Sequence, residues 1–167
     1  MESISSISDI LIEEMKKVFG RDTKRIEHAL AVLDLAEKIL STEGGDALVV
    51  SASAILHDIG IQEAERKYGS SAGKYQETEG PPIVEQILKR NNIPTEKIEH
   101  ICRIVANHHC AKDIDTIEFR IIWDADNLVN LSNEPEDSDR DRIERIINKV
   151  FRTSTGRRMA SELLIKC

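Results

Sequence analysis

The chain has 167 residues, of which 40% are hydrophobic, 32% charged and only 4% aromatic, and its formal net charge is −7. This composition excludes a disordered chain and favours one helical domain with an aliphatic core. The negative charge argues against non-specific nucleic-acid binding, and no apolar run reaches the roughly 18 residues of a membrane span. The first residues lack the pattern of a secretory signal, so we expect a cytoplasmic protein whose cysteines are reduced.

Hydrophobic periodicity predicts an all-α protein without strands. The first helix is expected to begin at Ser8 or Asp9 and to end at Gly20. The second is expected to run from Asp22 or Thr23 to Glu43. The third, from Ala47 to Ile59, is apolar or small nearly all round, which predicts a central position in the fold.

Residues 69–80, with the sequence GSSAGKYQETEG, predict a long loop that borders a site. Pro81 and Pro82 then fit the first turn of a short helix ending near Asn92. Further helices are expected at 95–109 and at 116–131, the second of which begins with a capping box. An acidic link at 132–140 follows, and then an amphipathic helix and a last short helix. We expect a single domain over 1–167, with the motif-bearing core at about 22–131 and helices within 138–167 on or beside it.

His57 and Asp58 end the most apolar helix, where two titratable side chains are costly to bury without compensation. A divalent metal ion would supply that compensation. His28 and Asp126 also lie within hydrophobic helices, and two imidazoles with two carboxylates suit Mn, Fe, Zn, Ni, Co or Mg. Taken singly, His28 also fits a packed histidine, Asp58 a helix-end residue, and Asp126 a carboxylate paired with an arginine.

The stretch RIEHALAVLDLAEKIL…DALVVSASAILHDIG…IVANHH…IIWDADNLVN resembles the HD-domain superfamily of metal-dependent phosphohydrolases. The resemblance covers roughly residues 22–131, and the H…HD…D signature falls on His28, His57, Asp58 and Asp126. It implies a helical bundle with a buried metal site between the helices. It also implies hydrolysis of a phosphoester by a metal-activated water, commonly in a nucleotide.

Cations beside the metal would stabilise the charge that develops on a phosphate. Arg25, one turn before His28, is the preferred candidate, because arginine can contact phosphate through two N–H groups. Lys24 is a further candidate for contact with substrate. Asp58 and Glu77 complete the predicted catalytic residues. Ile61 occupies the place where many relatives carry a lysine or a glutamate, and Glu63 and Glu65 stay open beside Glu77 as its substitutes.

Many two-metal members of the superfamily carry a histidine four residues before a glycine, at the position of Gln76 here. We therefore predict one ion, with His108 and His109 behind the metal or against the substrate. A second ion would need Glu77 or Glu79 as an oxygen ligand. Asp124 faces another way from Asp126 on the helix and is expected to bond a ligand histidine or an arginine.

Two other classes of function stay open. Ile61 and Gln76, which replace polar or ligating residues, are compatible with a regulatory module that binds metal and nucleotide without turnover. A di-iron oxygenase is the third class, disfavoured by the small number of histidines. Apolar edges on the first and last helices favour a homodimer.

Overall fold

The structure is a computed structural model that describes residues 3–135 and 139–165, and helices are the regular elements within these ranges. Residues 136–138 of the predicted acidic link, and Cys167, lie outside the described residues. The helices in these ranges are α1 (Ile4–Phe19), α2 (Thr23–Glu43), α3 (Ala47–Leu56), α4 (Ile61–Tyr68), α5 (Gly73–Arg90), α6 (Thr95–Val105), α7 (Ile117–Ser132), α8 (Arg140–Val150) and α9 (Ser154–Leu164). The predicted all-α class is confirmed.

Side-chain caps and glycines fix the ends of the predicted helices. The Asp22 carboxylate caps α2 by accepting from the amide of Arg25, and Asp46 caps α3 in the same way through Val49. These bonds satisfy amides that have no partner inside the helix. At the other end of α2, the backbone of Gly44 takes a φ of +79°, which favours glycine. The structure therefore places α2 within the predicted bounds.

Helix α3 lies at the centre of the fold, as its composition predicts. All its residues from Leu48 to Leu56 are buried, and it contacts α1, α2, α6 and α7. Because neighbouring helices cover it on every side, it can carry apolar or small residues nearly all round. It ends at Leu56, three residues before the predicted Ile59. Residues His57–Gly60 form a turn instead, and this turn carries His57 and Asp58.

The predicted long loop at 69–80 is wrong, because α5 begins at Gly73 and continues through Pro81 and Pro82. Only residues 69–72 separate it from α4. Each proline removes one helical N–H, but Gly80 lacks the Cβ that would clash with the ring of a following proline. A Cβ on Gly60 would lie 2.6 Å from the backbone nitrogen of Gly80, so the two glycines let α5 pack closely against the start of α4.

The first helix begins at Ile4, earlier than predicted, because the hydroxyl of Ser3 accepts from the amide of Ser6 and caps it. At the other end of the chain, α9 packs against α7 and α2, and α8 packs against α9. This agrees with helices beside the core, although the domain bounds themselves stay a prediction. Within the described residues, no helix is both long and apolar enough to cross a membrane.

Candidate metal centre

Three separate segments bring the four predicted metal ligands together. His28 comes from α2, His57 and Asp58 from the turn after α3, and Asp126 from α7. The Nε2 atom of His28 lies 3.0 Å from Asp126 Oδ1, 3.3 Å from His57 Nε2 and 3.4 Å from Asp58 Oδ2. Ligand atoms of His28, His57 and Asp58 lie within 4.8 Å of one another. The positions fit the predicted ligand set, while the ligand roles themselves stay a prediction.

The ring of His57 has a fixed orientation. Its Nδ1 donates to the carbonyl of Ala54 at 2.8 Å, and the residue is 1% exposed. In a neutral imidazole the other nitrogen then carries a lone pair. That Nε2 lies 3.3 Å from Asp58 Oδ2 and 3.6 Å from Asp126 Oδ1. Lone pairs and carboxylates therefore face each other in a buried space, an arrangement that requires a cation, either a proton or a metal ion.

The pKa values in the cluster express the same requirement. Burial by itself lowers the pKa of His57, but the carboxylates of Asp58 and Asp126 raise it well above its ordinary value. Burial by itself raises the pKa of Asp58, but the charge of His57, the largest opposing influence, brings it well below the usual range. The pKa of Asp126 is likewise lowered against the effect of burial, by hydrogen bonds from His28 and His57. The cluster thus favours a positive charge beside its carboxylates, which is the charge that a metal ion would supply.

A second group of donors shares Asp58. His108 donates from Nδ1 to the carbonyl of Val105 at 2.7 Å, and its Nε2 lies 3.3 Å from Asp58 Oδ1. This Nε2 is buried and has no hydrogen-bond partner among the described residues. Buried polar atoms are rarely left unsatisfied, so this lone pair fits a cation. Ligand atoms of Asp58, His108 and His109 lie within 4.8 Å of one another, which makes room for a second ion that the one-ion prediction does not use.

The cluster opens into a cavity of about 240 Å³. Its walls are formed by His28, Asp58, Ile61, Gln76, His109, Asp126 and Asn130. Sequence reasoning missed Asn130, whose side-chain amide donates to Asp126 Oδ1 at 3.2 Å. The spacing of four residues on one helix was a signal that could have found it. Partial burial, followed by the neighbouring His108, lowers the pKa of His109.

Arg25 lies beside the cluster but is held by carboxylates. Its guanidinium lies 2.8 Å from Asp22 and 2.6 Å from Glu65, and it is not among the residues that form the cavity walls. Burial alone lowers the pKa of Arg25, but Glu65 first, then Asp22 and Asp58, raise it above its ordinary value. Arg25 can therefore reach a phosphate only by exchanging one of these partners.

The other predicted site residues lie elsewhere. Lys24 is exposed on α2. Glu77 does not line the cavity, because one of its oxygens accepts from the backbone amides of His109 and Cys110, each at 3.0 Å. Its predicted catalytic role stays a prediction. Glu79, the alternative oxygen ligand, accepts from Lys67 and from a tyrosine hydroxyl.

Asp124 is fully buried, and its partners differ from those predicted. Its oxygens accept from the backbone amides of Arg152 and Thr153, each at 2.8 Å, and from the Thr153 hydroxyl at 2.7 Å. The described residues give it no hydrogen bond to a ligand histidine or to an arginine side chain. Asp124 therefore fastens the turn before α9 to α7.

Comparison with known proteins agrees with the fold and the cluster. The HD domain family matches residues 25–131, which include all four predicted ligands, and the chain belongs to this family. An HD-superfamily hydrolase from Bacillus thuringiensis is similar in crystal structure, with a TM-score of 0.67 and 16% sequence identity. The match covers 96% of this chain and 90% of that one, and at this identity it shows a shared fold. No curated protein matches the chain.

Membership in this family supports a metal-dependent hydrolase in general, in agreement with the donor set of the cluster.

Proposed function

We propose that the protein hydrolyses a phosphoester bond in a small phosphorylated metabolite, preferably a nucleotide, with a divalent ion bound by His28, His57, Asp58 and Asp126. The observation that carries the proposal is the buried convergence of imidazole and carboxylate lone pairs within 3.0–3.6 Å, at the wall of an open cavity. When bound, such an ion lowers the pKa of water and polarises a phosphoryl oxygen.

The surrounding residues define what the chain itself contributes. Asn130 holds Asp126 through a side-chain hydrogen bond, so that the carboxylate keeps its direction toward His28. Ile61 forms an apolar section of the cavity wall and excludes water there. The guanidinium of Arg25 contacts Glu65 through two N–H groups, and a phosphate that replaced Glu65 would be held in the same way.

A pair of tyrosines supports a nucleotide as the substrate. The rings of Tyr68 and Tyr75 stack with centroids 4.2 Å apart and planes tilted by 10°. Tyr68 is 44% exposed, and it follows Ile61 by about 10 Å along α4. Bases stack well on aromatic side chains whatever their identity. A nucleotide with its phosphate in the cavity and its base on Tyr68 fits this arrangement.

The test is phosphate release from nucleoside 5′-monophosphates and from ribose 5-phosphate, with protein that has been chelated and then reloaded with Mn²⁺, Zn²⁺, Fe²⁺, Ni²⁺, Co²⁺ or Mg²⁺. We expect His57→Ala and Asp58→Asn to lose activity by roughly 100-fold or more and to bind the ion weakly. His100→Gln is the matched control, because His100 bonds Thr116 away from the cluster. Full activity in either cluster variant, or after chelation, contradicts the proposal.

A regulatory module that binds metal and nucleotide without turnover is the second candidate. It is favoured by the cavity wall, in which the described residues include no lysine or arginine to neutralise a developing phosphate charge. Metal-loaded protein that binds nucleotides but releases no phosphate from the whole panel would support this function in place of hydrolysis.

A further inference from the structure

The first turns of α5 contact His109 through Gln76, Glu77 and Gly73. Gln76 Oε1 lies 3.2 Å from His109 Nε2. Glu77 accepts from the backbone amide of His109. A Cβ on Gly73 would lie 2.9 Å from Cγ of the His109 ring, so only glycine leaves room for the ring at this place. We infer that Gln76 is a positioning residue that orients His109 so that its free nitrogen, Nδ1, is available to a cation or to water.

The orientation of the Gln76 amide follows from its second partner. Its Nε2 donates to the carbonyl of Ser71 at 2.6 Å, and a carbonyl only accepts. The oxygen Oε1 therefore faces His109, and the ring nitrogen opposite it must be a donor. Gln76 itself is buried, with 7% of its surface exposed, so these two bonds fix its amide in one orientation.

The hydrogen bond decides which proton form His109 adopts. An imidazole that donates from Nε2 and is neutral carries its lone pair on Nδ1. His109 lines the cavity, and one of its ring nitrogens belongs to the group formed with Asp58 and His108. Oriented in this way, His109 can bind a cation or accept a proton from water, but in its neutral form Nδ1 cannot donate to a phosphoryl oxygen.

Gln76 thus orients His109, and it does not replace as a ligand the histidine that many relatives carry at its position. Both polar atoms of its carboxamide are already engaged, one by Ser71 and the other by His109. The part that His109 takes in hydrolysis rests on the proposed function, whereas its orientation does not.

The experiment is a long-range ¹H–¹⁵N NMR spectrum of protein labelled with ¹⁵N-histidine, recorded at pH 8 without metal. The His109 signals are assigned by their loss in His109→Asn. We expect the wild-type ring to be protonated at Nε2 and bare at Nδ1. A ring protonated at Nδ1 would overturn the inference, whatever the enzymatic activity of the protein.

Variants of Gln76 give the second readout. Gln76→Leu, which cannot accept, should mix the two proton forms of His109. Gln76→Glu keeps an acceptor and should keep the wild-type proton form. Gln86→Leu, at an exposed position on the same helix, is the matched control. An unchanged His109 spectrum in folded Gln76→Leu would contradict the inference.

If Gln76→Leu does not fold, the comparison of wild type with Gln76→Glu still tests whether Gln76 orients His109. Loss of the Nε2–H form in folded Gln76→Glu would contradict it. Failure of the proposed function appears differently, as a correct His109 spectrum in a protein that releases no phosphate from the substrate panel.

Discussion

Two carboxylates on α7, only two residues apart, are expected to respond in opposite ways to the same substitution. Asp124 accepts three hydrogen bonds from the turn before α9, whereas Asp126 faces His28 in the metal cluster. We predict that Asp124→Asn destabilises the fold and leaves ion binding intact. We predict that Asp126→Asn abolishes the stabilisation that an ion provides.

The size of the Asp124 effect follows from its partners. An asparagine presents one oxygen and one NH₂ group, so at least one of the amides of Arg152 and Thr153 would face another donor. A buried donor without a partner costs about 1–3 kcal/mol. Burial, the largest influence on this carboxyl, raises the pKa of Asp124, so the loss of its charge is not itself costly. A loss of about 2 kcal/mol corresponds to a fall in Tm of roughly 4–8 °C for a chain of this size.

Thermal unfolding of chelated and Mn²⁺-loaded protein measures both effects. At an ion concentration about 100 times its Kd, the wild type gains about 2.7 kcal/mol. Asp124→Asn should start from a lower Tm and keep this gain, and Asp126→Asn should lose it. If Asp124→Asn removes the gain, or if Asp126→Asn retains it, the assignment of the two carboxylates is refuted.

Four further predictions concern His57, Gly60 and Tyr68. Since the neighbouring carboxylates raise the pKa of His57, ion binding must expel a proton. The affinity for the ion should therefore rise up to about tenfold per pH unit below that pKa. Calorimetry in two buffers of different ionisation enthalpy should detect the proton release. Without an ion, the stability that His57 contributes is complete below its unfolded pKa of about 6.5 and is lost as pH rises through the higher folded value, which pH-dependent unfolding measures. Gly60→Ala should cost about 2 kcal/mol or more in urea unfolding, because its Cβ meets the Gly80 backbone. Tyr68→Leu should raise KM for nucleotides by roughly tenfold and leave KM for ribose 5-phosphate unchanged.

The residues that could be predicted from the sequence are those whose surroundings are local. The bounds of α2 follow from Asp22 and Gly44, which act within one turn of the helix ends. Asp124 and Asp126 both stand out as charged residues in an apolar helix, and the resemblance to the HD-domain signature singles out Asp126. The central place of α3 follows from its composition alone.

The errors occur where distant packing overrides a local preference. Glycines and prolines at 69–82 predict a loop, yet the close approach of Gly60 and Gly80 supports a helix there. The hydrogen-bond partners of polar residues are hard to predict for the same reason. The turn before α9 supplies the bonds to Asp124, and Glu65 on α4 holds Arg25. Neither partner could be inferred from spacing on the residue's own helix.

The histidines show how local and distant constraints combine in this site. His57 and His108 each follow the end of a helix and donate to a carbonyl three residues earlier, in the last turns of α3 and α6. The last carbonyls of a helix lack partners within it, so a histidine just past the end satisfies one of them and turns Nε2 outward.

The same local device thus fixes two imidazoles before any ion binds, and both turn toward Asp58. His109 follows His108 directly, but its ring is fixed by Gln76 on α5. Its orientation therefore depends on the packing of α5 against the turn after α6, which pairs residues more than 30 positions apart along the chain. A substitution at Gln76 should therefore disturb the ring of His109 while leaving His57 and His108 in place.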